Sequence, residues 1–218
     1  MALGKPNNNE SNWISFSDIM TGLMVIFMFI AISYIAESDK QQKEKDEIIT
    51  SLKNSQKNLF KELESTFTTG KFKGYSLKVK PDLSIQITDE NALFNSQYYH
   101  DDVVLKPEFQ EFLESFTPEF YKIILKEDYV DNIAEIRIEG HTGIETPEKE
   151  DINDYYQKML ILSQKRSNKV LDFMMTQPSY SELSKEKKYL LKFITTSNGL
   201  AYGKALDNEG EYKYLSKN

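Results

Sequence analysis

Residues 14 to 36 form a run of mainly apolar side chains that carries a single carboxylate, Asp18. A helix rising 1.5 Å per residue needs about 20 such residues to cross the hydrocarbon core of a bilayer, so the segment opening at Trp13 has the length of one membrane span. An acid at that depth costs roughly 2.5–3.5 kcal/mol on insertion scales, and an intramembrane Asp marks a functional site by default. Trp13 favours the membrane interface; if it marks that plane, Asp18 lies about 7.5 Å deeper. Ser17 and Thr21 flank the acid and Gly22 follows, giving a narrow face where another helix packs closely or a cation meets oxygen ligands. The plain alternative is that Asp18 caps the helix and reaches headgroup water.

The 218 residues leave room for one span and one further domain of about 140–150 residues. A formal charge of −7 makes a polyanion such as nucleic acid a poor general partner. With no cysteine there are no disulfides and no thiolate metal sites. Two histidines and no Ser/His/Asp or metal-ligand constellation give no support to an enzyme, so neither catalytic nor metal-binding residues are expected. The apolar stretch is too long for a cleaved secretory signal and no small-x-small site follows it, so it is expected to stay as a signal anchor. Lys40, Lys43 and Lys45 follow the span whereas Lys5 precedes it, and the positive-inside rule applied to these alone favours a cytoplasmic C-terminal side.

Residues 37 to 69 lack Gly and Pro until Gly70 and are rich in Lys, Glu and Gln, as a helix is. Ile48, Leu52, Leu59 and Leu63 recur at spacings of four, seven and four, the seam of a short parallel coiled coil interrupted at Ser55; a solvated linker helix is the alternative. Either way this stretch is expected as a neck. The folded domain is expected from Gly70. Tyr75 to Lys80 and Leu83 to Thr88 alternate around Pro81-Asp82 and predict a hairpin. His100 with Asp101 and Asp102 offers metal-ligand chemistry, but three neighbours in a loop seldom face one ion, and the group is expected at the surface.

A helix is expected to open at Lys106-Pro107 and run to about Phe116, with Pro118 breaking it before a second helical piece. Phe109, Phe112, Leu113 and Phe116 share one face and belong to the core. Ile133 to Gly140 predicts a strand with Ile136 and Ile138 on its inner side. An acidic loop leads into a helix from about Tyr155 to Met175, and Lys187 to Ile194 is read as a further strand.

Residues 13 to 24, Trp-Ile-Ser-Phe-Ser-Asp-Ile-Met-Thr-Gly-Leu-Met, resemble the transmembrane signature of the MotB family of ion-driven motor subunits, a Phe-x-Asp-[Leu/Met]-Met-[Thr/Ser] run opening an apolar helix. Asp18 falls on that family's ion-carrying aspartate, and Ser17 and Thr21 are expected to support the ion path. The form is most similar to the MotB-like subunit of Zorya anti-phage systems. The resemblance implies a homodimer inside a closed ring of roughly five copies of a MotA/ZorA-like multi-span partner. The cargo would be a proton or sodium ion, with no cofactor. It also implies an inner-membrane location with residues 1–12 cytoplasmic, a transmembrane helix over 13–36, a helical neck over 37–69 and a periplasmic domain over 70–218.

A second resemblance covers about residues 72 to 206. Ala92-Leu-Phe, Leu105-Lys-Pro, Ile138-Glu-Gly-His-Thr, Leu162-Ser-x-x-Arg166 and Leu200-Ala-Tyr-Gly203 are similar in order and spacing to the OmpA-like domain that ends MotB proteins, an α/β sandwich that binds the peptide stem of peptidoglycan. The overall expectation is therefore α+β. Arg166 matches the family's ligand for the stem carboxylate, for which a guanidinium is suited, and Leu162 and Thr142 stand beside it in the motif. The chain departs from the pattern at Gly143, where the family has an aspartate, and at Met159, where it has an asparagine. Asp151 and Asp154 are candidates to replace the missing acid, and His141 is expected to shape its loop. A flagellar stator subunit and a passive membrane-to-wall tether remain the alternatives.

Overall fold

The computed structural model describes residues 8–72, 75, 77–87, 93–95, 102–142 and 151–203. The N-terminal tail before Asn8, His100, Asp101, Gly143, most of the acidic loop before Asp151 and the polar tail from Asn208 lie outside the described residues. Two compact units divide the chain between Asn54 and Ser55.

The first unit is helical throughout its described residues. Helix α1 runs from Asn8 to Phe67 without a break, and every side chain from Phe16 to Asn54 is exposed. Its apolar part is the one described helix long and apolar enough to cross a membrane, with a mean hydropathy of 2.3 over its best window. Trp13 and Tyr34 are both about three-quarters exposed, and the 21 residues separating them rise about 31 Å, close to the thickness of a hydrocarbon core. Two amphipathic rings at that spacing match the two interfaces of a bilayer.

The second unit begins with the last three turns of α1, which form part of its core. Leu59, Leu63 and Phe67 are buried, each contributing about 1.5–3 kcal/mol by removal from water. Phe67 packs 4.5 Å from Phe116 and edge-on at 5.1 Å to Phe72, which closes the 3-10 turn Gly70–Phe72. Polar contacts hold the same stretch: Tyr129 donates to Glu62 at 3.0 Å, Lys126 pairs with the same carboxylate, and Ser55 donates to the Asp128 carbonyl at 3.2 Å. Burial, and then the bond to Glu62, push the Tyr129 phenol up, so this contribution is present below the ordinary phenol value and is lost only in alkali. Half of the sequence-expected coiled-coil seam thus packs into its own domain, while Ile48 and Leu52 stay exposed.

Strands β1 (Leu77–Val79) and β2 (Ile85–Ile87) form the expected antiparallel hairpin, with Leu77 opposite Ile87. Its turn is closed by Lys80 and Ser84, and the Asp82 carboxylate accepts from the Ser84 hydroxyl at 2.7 Å and its amide at 3.0 Å. Those bonds hold the Asp82 carboxyl below its usual value, so the turn is fully braced near neutrality and loosens as acid protonates it. Helix α2 (Pro107–Ile124) is continuous, a correction to the expected break. Pro118 faces solvent, and although it forfeits one helical hydrogen bond, buried side chains on both sides of it hold one face: Phe112, Leu113, Phe116, Thr117 and Tyr121. Phe109, Phe112, Phe116 and Phe120 stack in sequence at 5.3–5.9 Å along that helix.

After the short helix α3 (Glu127–Val130), strand β3 (Ile136–Gly140) pairs in parallel with β4 (Thr195–Gly199), Ile136 opposite Thr195 and Gly140 opposite Gly199. Between them run α4 (Ile152–Thr176), α5 (Pro178–Ser181) and α6 (Lys185–Ile194). The strand expected over Lys187–Ile194 is therefore helix α6; Ser184 caps it by accepting from Lys187 N–H, and Leu191 and Ile194 turn inward. With helices and two small sheets, the class is α+β.

Leu63→Ala is expected to lower the unfolding free energy of the second unit by about 2–5 kcal/mol, and Leu52→Ala by under about 0.5. Amide-exchange protection against urea in the detergent-solubilised chain measures both; equal losses would place the two leucines on one shared surface.

Candidate functional site

Two groups of sequence-marked residues lie in different units. The first is centred on Asp18. With Trp13 and Tyr34 as boundary rings, Asp18 lies about 7.5 Å inside the nearer one, and no other ionisable side chain lies between them. The Thr21 hydroxyl donates to the Ser17 carbonyl at 2.8 Å. Its hydrogen is thereby occupied within the helix, and the oxygen stands about one turn from Asp18 along the sequence. Nothing lies within 4 Å of where a Cβ on Gly22 would be, so this face is open to a neighbouring helix.

The second group surrounds the carboxyl ends of β3 and β4, where α4 crosses them. Glycine is required on both strands by contact: a Cβ on Gly140 would sit 2.1 Å from the Ser163 carbonyl oxygen, and one on Gly199 2.4 Å from the Gln164 nitrogen. The backbone of α4 therefore lies directly on the strand ends. Ser163 accepts from Ala201 N–H at 2.9 Å, Ala201 accepts from Thr142 N–H at 2.9 Å, and Leu200 N–H donates to Gly140 at 3.0 Å. Gln164 completes the outer edge of β4, accepting from Gly199 N–H at 2.7 Å and donating to the Ser197 carbonyl at 3.1 Å.

This arrangement brings Thr142 and Leu162 into the packed interior, both buried. The Thr142 hydroxyl finds no hydrogen-bond partner among the described residues. Arg166, half-buried, lies with its guanidinium carbon 5.2 Å from the ring centre of Phe94, itself bridged to Leu105; three of the sequence motifs meet there. Tyr156 packs edge-on to Tyr202 at 5.3 Å. Asp151 and Asp154 are exposed at the start of α4, where Asp151 caps the helix by accepting from Asn153 N–H at 2.8 Å and Asp154 N–H at 3.2 Å. They stand 15 and 12 residues from Arg166, about 22 and 18 Å along the axis. His141 is half-exposed, 3.7 Å from Glu139. Among the described residues no group of His, Asp and Glu is arranged to hold a metal ion. Sequence reasoning passed over Gln164 and the Tyr156–Tyr202 contact, because a polar helix residue and two common tyrosines carry no spacing signal of their own.

No family model matches the chain. It is similar to the Zorya protein ZorB of Escherichia coli (strain Crooks), 28% identical over 173 residues that make up 79% of this chain and 71% of that protein. That similarity supports a ZorB-like, MotB-family relationship. For a ZorB-like protein, the one long apolar helix near the N-terminus fits a single-pass protein of the inner membrane.

Gly140→Ala is expected to cost about 1–3 kcal/mol by forcing α4 off the strand end, whereas Gly22→Ala, on an open helix face, does not lower the stability of the isolated chain. Thermal melts of the two variants in detergent read the difference; an unaltered melt for Gly140→Ala would mean that α4 does not lie on β3.

Proposed function

We propose that the chain is the stator-like subunit of an ion-driven inner-membrane motor serving Zorya-type anti-phage defence, and not an enzyme. The observation that carries this reading is the single acid in α1, set inside two interfacial rings and next to an oxygen-lined, open helix face, in a chain similar to ZorB. Two copies would stand inside a ring of a MotA/ZorA-like partner, with the N-terminus cytoplasmic and the C-terminal unit periplasmic. Asp18 would alternately take up and release a proton or sodium ion crossing the membrane. Neutralising it removes the roughly 2.5–3.5 kcal/mol cost of a buried charge, and the change of charge favours one packing of the ring over another. Repeated cycles turn the ring against the pair.

The fixed point is the second unit, read as an OmpA-like domain held by the peptide stem of peptidoglycan. Parallel β3 and β4 under α4, with Arg166 beside Phe94, support that reading. Arg166 is the residue suited to a stem carboxylate, with Leu162 and Thr142 packed behind it. Asp151 and Asp154 are too far along α4 to join Arg166 on one small group, and Asp151 is already engaged as a cap.

The test is phage survival of cells carrying the gene with its native neighbours. Asp18→Asn at matched protein level is expected to remove protection entirely; protection that survives would leave Asp18 a helix cap and favour a passive tether. Protection absent even from the wild type would point to motility instead. Separately, Arg166→Ala is expected to reduce co-sedimentation of the detergent-solubilised chain with purified peptidoglycan about tenfold, the loss of one charged hydrogen-bonded contact, and undiminished sedimentation would remove Arg166 from the wall site.

A further inference from the structure

Helix α4 lies on glycine where it meets the sheet, since a Cβ at Gly140 or Gly199 would run into its backbone. Two glycines offer no side chains to interlock with the helix, and such a contact resists a roll about the helix axis less than interdigitated side chains do. The restraint on that roll is polar. Leu200 N–H donates to Gly140 across the sheet, and because backbone groups alternate along a strand, Ser197 and Gly199 turn theirs to the opposite edge of β4. Among the described residues no strand pairs with β4 on that edge. The Gln164 side chain stands in for one: its amide oxygen accepts from Gly199 N–H at 2.7 Å, and its nitrogen donates to the Ser197 carbonyl at 3.1 Å. A parallel neighbour would make the same two bonds through the C=O and N–H of one residue.

The clip extends along the helix. Asn168, one turn on, accepts from Gln164 at 2.9 Å and from the Ser197 hydroxyl, and Ser167 meets that hydroxyl at 3.0 Å. Arg166 stands between these residues in sequence but not in space. At about 100° per residue it is turned roughly 160° away from Gln164, on the flank where the Phe94 ring centre lies 5.2 Å from its guanidinium carbon. Ser163, accepting from Ala201 N–H, lies between the two flanks and faces the strands. One flank of α4 is therefore fastened to the edge of β4, and the other carries Arg166.

We propose that Gln164, together with Ser197 and Asn168, sets the rotation of α4 and is a positioning residue for Arg166. The inference rests on the reading of Arg166 as the ligand for a stem carboxylate. A roll of about 20° would carry a group roughly 6 Å from the helix axis through about 2 Å. That is more than a two-pronged hydrogen bond between a guanidinium and a carboxylate tolerates. Apolar burial on the inner side of α4 is non-directional and permits such a roll; the two bonds from one amide to a strand edge are directional and oppose it. Gln164 touches no ligand in this scheme and acts only through the direction it gives to Arg166.

Gln164→Leu keeps most of the side-chain bulk and removes both bonds to β4. In the detergent-solubilised full chain, co-sedimentation with purified peptidoglycan is expected to fall at least about threefold, part of the roughly tenfold expected from Arg166→Ala. In the Arg166→Ala background the same change is expected to cost nothing more, because the residue it positions is gone. Amide exchange is expected to quicken at Gly199 while Leu200, bonded to Gly140, stays protected. Ser197→Ala is a smaller change that loosens the clip and spares the backbone bonds; run through the same cycle, it is expected to lower binding about twofold with far-UV circular dichroism unchanged. Undiminished binding by both variants, or an equal loss with and without Arg166, overturns the proposal and leaves Gln164 a part of the fold alone. A Gly199 amide that exchanges freely in the unaltered chain does the same. Full binding by Arg166→Ala removes the wall reading itself, and the positioning role with it.

Discussion

The burial of Phe67 at the end of a 60-residue helix is the contact on which the second unit depends. Phe67 joins Phe72 and the phenylalanines of α2 into one aromatic core, and Leu59 and Leu63 extend that contact two turns back along α1. The folded unit has few alternatives to this helix for a lid on α2: its two sheets are two-stranded among the described residues, and a pair of short strands alone is marginal in water. Glu62, paired with Lys126 and accepting from Tyr129, fixes the rotation of the helix while the leucines supply the affinity. The same leucines cannot also face a second copy. A coiled-coil seam in α1 is therefore confined to Ile48 and Leu52, too short a repeat to hold a dimer by itself.

That outcome shows what periodicity can and cannot tell. A spacing of four, seven and four identifies one face of a helix, of which Leu59 and Leu63 are buried here; the identity of what covers it, partner helix or own domain, leaves no trace in the spacing. Phe109, Phe112, Leu113 and Phe116 were legible as core because aromatic residues so closely repeated have no other stable place. Pro118 misled because the local penalty of a proline was weighed without the tertiary contacts that outweigh it when the ring faces solvent. In α6 the run Tyr-Leu-Leu-Lys-Phe has strand-like composition, and the deciding signal, Ser184 as a cap with Glu186 after it, stands just before that stretch.

The candidate site residues are legible to different degrees for a related reason. Asp18 stands out because a charge among apolar residues conflicts with its surroundings, and a conflict of that kind is visible in one dimension. Gly140 was legible only as part of a motif; its physical role, letting the α4 backbone touch a strand end, needs three dimensions. The proposed substitute acids stand apart from Arg166 for the same reason in reverse. Asp151 and Asp154 follow Gly143 closely in sequence, but a helix that starts at residue 152 carries Arg166 away from them at 1.5 Å per residue.

Two of the neighbours of Arg166 are apolar: Phe94 lies against the guanidinium, and Leu162 is buried in the preceding turn of α4. In such surroundings a guanidinium interacts more strongly with a carboxylate than it would in open water, because fewer solvent dipoles compete. On the proposed reading, a site with Gly143 in place of the acid for the ammonium end of a stem peptide would keep its grip on the carboxylate end, with selectivity reduced more than affinity. A stator needs its anchor to resist load and has less need to discriminate among closely related wall peptides. A glycine at position 143 together with Arg166 is the combination that this requirement would tolerate.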